Sequence, residues 1–266
     1  MQIPIYQIDA FSNEIFKGNP AAVCPLNSWL DDTTLKRIAQ ENNLSETAYF
    51  TKEDETTFNL RWFTPEYEID LCGHATLATA HVILNELNYK GDTVNFKTLS
   101  GLISVKKEDD FLILNLPCRP GKVSELPEII EDSLNIQPQE IYKARDYLLV
   151  YPSEDDVKAI HPNIALLNQI NLNPGGIIIT APSNDNDIDF VTRFFTPQAT
   201  IFEDPATGSA HCTLVPYWAK RLNKITLNAF QHSKRTAKFK CSLDNDRVIV
   251  KGQAVTYLKG EIYLPF

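Results

Sequence analysis

Apolar and polar positions recur along this chain with two different periods. Beside the continuous apolar run YLLVYP, which is also strand-like, a period of two runs through IPIYQIDAF, TVNFKT, LISVKK, FLILNLP and the closing stretch RVIVKGQAVTYLKGEIYLPF. It predicts strands, because successive side chains of a strand point to opposite faces. Spacings of three and four appear in ATLATAHVILNELNY, where Leu77, Ala80, Ile83, Leu84 and Leu87 form a stripe, and GSAHCTLVPYWAKRLN after Gly208 is similarly apolar at its start. Both read as helices that belong inside, wrapped by sheet. Pro216 lies well within the second, so a kink or an interrupted helix is expected there. A third helix is predicted over DDTTLKRIAQENN at 31–43, capped by Asp31 or Asp32, with Leu35 and Ile38 turned inward. Connections such as NLNPGG at 171–176 and PSNDNDID at 182–189 separate these elements. The fold class this pattern implies is α+β.

The chain also repeats itself. LRWFTPEYEIDLCGHAT at 60–76 echoes TRFFTPQATIFEDPAT at 192–207, with Arg61, Phe63, Thr64 and Pro65 matching Arg193, Phe195, Thr196 and Pro197 at an offset of 132. Dropping one position later aligns Ala75-Thr76 with Ala206-Thr207. Upstream, SETAYFT at 45–51 faces IIITAPS at 177–183, which sets Ile178 opposite Glu46. A duplication with a strand, turn, strand, loop, helix order in each half explains these matches. The expected domains are residues 1–117, completed by the last C-terminal strand at about 255–266, and residues 118–254. Their junction falls near 117–125, where LPCRPGK interrupts the strand pattern.

Composition narrows the function. With 266 residues, 43% hydrophobic and 22% charged, there is material for a substantial core. A net charge of -9 argues against binding nucleic acid or an anionic membrane surface. No stretch approaches the ~20 apolar residues of a membrane span, and MQIPIYQIDAF lacks the shape of a signal peptide, so a cytoplasmic location is expected. The five cysteines, Cys24, Cys72, Cys118, Cys212 and Cys241, are odd in number and widely spread, so they read as free, mostly buried thiols.

Three polar signals stand out from this background: Glu46 in NLSETAYF, Gly73-His74 in DLCGHAT, and Asp204 through Ser209 in EDPATGS. Two of them open the central helices, whose unpaired N–H groups and positive dipole ends suit a small carboxylate. Gly73 and Gly208 would let an anion approach the backbone, or they simply make turns. Glu46 is an unusual residue for a half-buried strand; it is either an edge glutamate or a general acid/base. His74 reads as a ligand donor, a cap or a structural ring, and Asp204 as a cap or a catalytic partner. Cys72, beside a helix start, offers a thiol as an alternative base. His81 and His211 read as structural. No metal-ligand spacing appears, so no metal is expected.

Taken together, DAFSNEIFKGNPAAV, NLSETAYF, the RWFTP to LCGHATLA block and FFTPQATIFEDPATGSA resemble the PhzF-like family, related in fold to diaminopimelate epimerase. The resemblance covers almost the whole chain. It implies a diaminopimelate epimerase-like fold of two pseudo-symmetric domains, each a barrel-like sheet around a central helix, with a ligand cleft between them. It places the family's catalytic glutamate on Glu46 and its substrate contacts on Gly73, His74, Asp204, Gly208 and Ser209; in the mechanism expected of these residues, His74 and Asp204 orient substrate and stabilise charge. The implied reaction moves a proton between carbons, as in the isomerisation of trans-2,3-dihydro-3-hydroxyanthranilate, without metal, flavin or pyridoxal phosphate. No cofactor and a homodimer are therefore expected. Two alternatives accompany it: a two-base epimerase using Cys72, and a small-acid binding module without turnover. QHSKRTAKFK departs from the family pattern, lacking a glycine shortly after the arginine.

Overall fold

A computed structural model describes residues 1–172 and 175–265. Asn173 and Pro174 of the predicted 171–176 connection, and the final Phe266, lie outside the described residues. The chain divides into two compact units, Met1–Asn115 with Lys251–Phe266, and Leu116–Val250.

In the first unit the period-two segments become β1 (Gln2–Ala10), β2 (Asn19–Leu26), β3 (Glu46–Lys52), β4 (Thr57–Phe63), β5 (Glu68–Ile69), β6 (Thr93–Thr98), β7 (Gly101–Glu108) and β8 (Phe111–Pro117). Its helices are α1 (Asp32–Asn42) and α2 (Gly73–His81). β2 pairs with β3 in parallel, β3 with β4 antiparallel, β4 with β6 in parallel and β6 with β7 antiparallel. The C-terminal strand Ala254–Tyr263 pairs antiparallel with β1. β3 is buried on both faces from Thr47 to Thr51, as a strand with covered faces must be. On one side lies α1, capped by the Asp31 side chain on Thr34 N–H, with Leu35 and Ile38 packed into a cluster that includes Cys24, Tyr49 and Phe63. On the other lies α2, whose residues Gly73 to Ala80 are all buried. The predicted 15-residue helical segment is not uniform: after His81 it widens into a π-helical turn, Val82–Glu86, and Leu87 is exposed.

The second unit repeats the plan with β9 (Lys122–Val123), β10 (Glu140–Lys143), β11 (Tyr147–Val150), β12 (Ile177–Pro182), β13 (Phe190–Phe195), β14 (Thr226–Gln231) and β15 (Ala237–Asp244). β11 and β12 are parallel, β12 and β13 antiparallel, β13 and β14 parallel, β14 and β15 antiparallel, the same succession as β2, β3, β4, β6 and β7. Three short helices, α3 (Glu128–Ser133), α4 (Glu154–Ala159) and α5 (Ile164–Leu167), take the place of α1 and contribute Ile130, Val157 and Leu167 to a core with Ile177, Ile179 and Phe195. The buried helix is α6 (His211–Leu222).

Two expectations need correction here. The helix is not interrupted at Pro216. Proline removes the donor that would bond the carbonyl of Cys212, and the Arg119 N–H takes it instead at 2.8 Å, so the helix continues. The irregularity lies earlier, where Gly208–Ala210 form a 3₁₀ turn before the α-helix proper begins at His211.

The second correction concerns the counterpart of Glu46. Thr47 pairs with Phe63 and Lys52 with Phe58, leaving residues 53–57 in the turn, whereas Ile177 pairs with Phe195 and Pro182 with Phe190, leaving residues 183–189. The second hairpin is longer by two residues. Once Phe63 and Phe195 are matched, Thr47 corresponds to Ile177, and the residue corresponding to Glu46 is Gly176 rather than Ile178.

Candidate active site

Glu46 opens β3, where it pairs with Ala21 of β2. His74 is the second residue of α2 and is 3% exposed. Strand and helix bring them together, with His74 Nε2 2.9 Å from Glu46 Oε2. That separation is short enough for an ion pair, yet the approach is poorly directed: both atoms are buried and neither has a properly aligned hydrogen-bond partner. Two polar atoms thus converge without satisfying each other, an arrangement that costs stability unless a third group completes it.

The other edge of the ring is crowded. His74 Nδ1 is 3.0 Å from the amide nitrogen of Asn19 and 3.5 Å from Cys72 Sγ. Asn19 is fully buried, and its amide oxygen accepts from the Ser45 hydroxyl at 3.4 Å. Burial weighs against charging His74, while Cys72 and Glu46 beside it favour the charged ring and lift its pKa above the ordinary histidine value. The Asn19 amide nitrogen at Nδ1 acts the other way, because an imidazolium has no lone pair there to receive its hydrogen. Burial, helped by the Glu46 charge, pushes the Cys72 thiol up to about 11, so it is protonated at neutral pH. The helix start at Cys72 and Gly73 has no side-chain cap.

Glu46, Cys72 and His74 each offer a donor atom, all within 4.8 Å of one another, a composition suited to a metal ion. The geometry does not suit it. Cys72 approaches Nδ1 and Glu46 approaches Nε2, whereas an imidazole presents one nitrogen to an ion. The set places a thiol and a carboxylate at opposite edges of the ring.

The remaining predicted residues belong to the second unit. Asp204 accepts a short hydrogen bond from the Thr207 hydroxyl. It does not cap α6, whose cap position is Ala210, and Gly208 and Ser209 lie in the 3₁₀ turn. Gln231, which sequence reasoning passed over, holds this turn: its fully buried amide donates to Asp204 O at 2.7 Å and to the Thr207 hydroxyl at 3.1 Å, and accepts from Thr207 N–H at 2.7 Å. Ser233 adds a bond to Pro205 O at 2.8 Å. The missing glycine of QHSKRTAKFK has its explanation here, since Thr236, directly after Arg235, has φ 57°, a backbone region that glycine enters without strain. Its N–H is held by the Ser233 hydroxyl at 2.9 Å. Behind it, His211 donates from Nδ1 to Thr207 O at 3.1 Å, and burial drives its pKa down to about 4, so the ring is neutral. Cys212 is pushed up to about 12 by burial.

Comparison with known proteins identifies the family and the fold. Residues 8–260 match the family described as phenazine biosynthesis-like protein. An uncharacterized isomerase of Halalkalibacterium halodurans is 46% identical over 99% of this chain and the whole of its own. The crystal structure of a PhzF family protein from Enterococcus faecalis superposes with a TM-score of 0.90 at 44% identity, covering 99% of this chain and 100% of that one. A hydroxyproline epimerase from Agrobacterium vitis shares the fold, with a TM-score of 0.62 at 11% identity over 98% of this chain and 92% of the other. The fold is thus of the PhzF and epimerase type expected from the sequence, and the chain belongs to the phenazine biosynthesis-like family, whose curated bacterial relatives are named isomerases.

Proposed function

We propose that this isomerase moves a carbon-bound proton on a small carboxylic acid, with Glu46 as its single general acid/base and no cofactor. The observation that carries this reading is the buried approach of Glu46 Oε2 and His74 Nε2 at 2.9 Å, each without an aligned partner. A carboxylate held in this way is available to a C–H group, and one base suffices when the proton leaves and returns on the same face. The uncapped start of α2 at Gly73 supplies N–H donors for the substrate carboxylate. Asp204, Gly208 and Ser209 are proposed as further substrate contacts, and their role is tested by the turnover of Asp204→Asn. A two-thiol inversion is the weaker reading, because burial keeps Cys72 and Cys212 in the protonated form.

Trans-2,3-dihydro-3-hydroxyanthranilate is the first substrate to test, followed by a panel of small unsaturated carboxylic acids. In heavy water the wild-type enzyme should place deuterium on a ring or chain carbon of at least one of them. Acids that raise the melting temperature yet never exchange a carbon-bound proton would instead identify a binding module. Cys72→Ser should retain turnover and stereochemistry; its loss, with an inverted product from the wild type, would favour the epimerase. A cytoplasmic homodimer is also proposed, and light scattering tests the assembly. Among the described residues no helix is long and apolar enough to cross a membrane.

A further inference from the structure

Asn19 opens β2 and is fully buried beside His74. It presents its amide nitrogen to Nδ1 at 3.0 Å, and its amide oxygen lies 3.4 Å from the Ser45 hydroxyl. An amide nitrogen only donates. Cys72 Sγ lies 3.5 Å from the same Nδ1, and its thiol, protonated in this buried setting, brings a second hydrogen. Two donors meeting one ring nitrogen require a lone pair there. A neutral imidazole has one N–H and one lone pair, so with Nδ1 bare the proton belongs on Nε2, the atom 2.9 Å from Glu46.

We infer that Asn19 is a positioning residue that holds His74 in the Nε2–H tautomer, so that the ring offers a hydrogen toward Glu46 and the substrate. With a bare Nε2 the ring would instead compete with Glu46 for the carbon proton. With a proton on each nitrogen it would turn a donor against the Asn19 amide. The consequence for chemistry rests on Glu46 being the acid/base: His74 then turns Nε2–H toward the carboxylate 2.9 Å away and does not compete with it for the carbon proton. The tautomer itself does not depend on that reading.

Long-range proton–nitrogen correlation spectra of the full-length protein, labelled with ¹⁵N histidine, report whether each ring nitrogen is bare or protonated. The His74 signals are identified by their loss in His74→Gln. In the wild type, at a pH above the raised His74 titration where the ring is neutral, we expect a bare Nδ1 and a protonated Nε2. In Asn19→Asp the new carboxylate accepts a hydrogen, so the Nδ1 signal should shift to the protonated position. Asn19→Leu removes one donor but leaves Cys72 beside Nδ1 and Glu46 beside Nε2, so its signals should move less than those of Asn19→Asp. A neutral ring with a protonated Nδ1 and a bare Nε2 in the wild type overturns the inference. So does an unchanged pattern in a folded Asn19→Asp. The wild-type spectrum decides the tautomer even where a variant does not fold. Because the spectra need no turnover, their failure is distinct from a failure of Glu46 as the acid/base, which proton exchange reads.

Discussion

The two units share a strut and differ in what stands beside it. In the first, Arg61 makes paired hydrogen bonds to Glu68 at 2.7 and 2.6 Å and its guanidinium lies 5.0 Å from the Phe63 ring. In the second, Arg193 makes the same pair to Glu203 at 2.7 and 3.1 Å and lies 4.9 Å from Phe195. A threonine N–H closes the following turn in each unit, though the turns differ in length: Thr64 N–H bonds Tyr67 O at 2.9 Å, and Thr196 N–H bonds Phe202 O at 2.8 Å. Next to these matching parts the chemistry diverges. The position of Glu46 is taken by Gly176, where a Cβ would come within 2.5 Å of the Phe194 ring and 2.7 Å of Phe195 O. The scaffold was kept where both halves need it, and in the second half packing excludes any side chain at the place of the acid.

Replacing Gly176 should therefore be the most damaging way to make the halves alike. Gly176→Glu adds both overpacking and an unpaired buried charge, and should cost about 4–5 kcal/mol in urea unfolding. Arg193→Ala should follow, at about 3–4 kcal/mol, because it strands the Glu203 carboxylate and also removes donors to Val157 O and Ile160 O at 3.0 and 2.7 Å. The buried histidines offer a third contrast. His211 has its pKa lowered from 6.5 to about 4 by burial, so the unfolded chain binds a proton in this range that the folded chain cannot. Its contribution is complete above about pH 6.5 and is lost as the pH falls toward 4, reaching about 3 kcal/mol. His211→Gln should flatten that part of the stability profile. The smallest effect belongs to Arg61→Ala, at about 1–2 kcal/mol, since Arg61 is more exposed than Arg193 and its second partner, Asp32, lies at the surface. Equal losses at Arg61 and Arg193 would break the comparison.

Much of this arrangement was legible before any coordinates. The strand periods, the three helices and the repeated R-x-F-T-P carry local physics, and local physics survives translation into structure. The register of the second hairpin did not, because nothing in IIITAPS marks where pairing stops and a seven-residue turn begins. Sequence alignment consequently set Ile178, rather than Gly176, against Glu46. The Arg–Glu struts were missed for a similar reason: Arg61 and Arg193 were seen as matching letters, while their partners lie seven and ten residues away across a turn of different length. Asn19 was quoted within GNPAAV without a role, since its contact with His74 spans 55 residues and only the fold creates it. The absent glycine after Arg235 was a true signal, and it marked a left-handed residue that the Ser233 hydroxyl holds in place.

The most direct measurement compares Glu46→Gln with the wild type on an acid that the enzyme is shown to turn over. Glutamine keeps the shape of the side chain and cannot exchange the proton. Binding should survive, measured by the same rise in melting temperature, while turnover and deuterium incorporation fall by at least ~10²-fold. Unchanged turnover in Glu46→Gln would remove Glu46 from the chemistry and leave the asymmetry between the two units without a catalytic meaning.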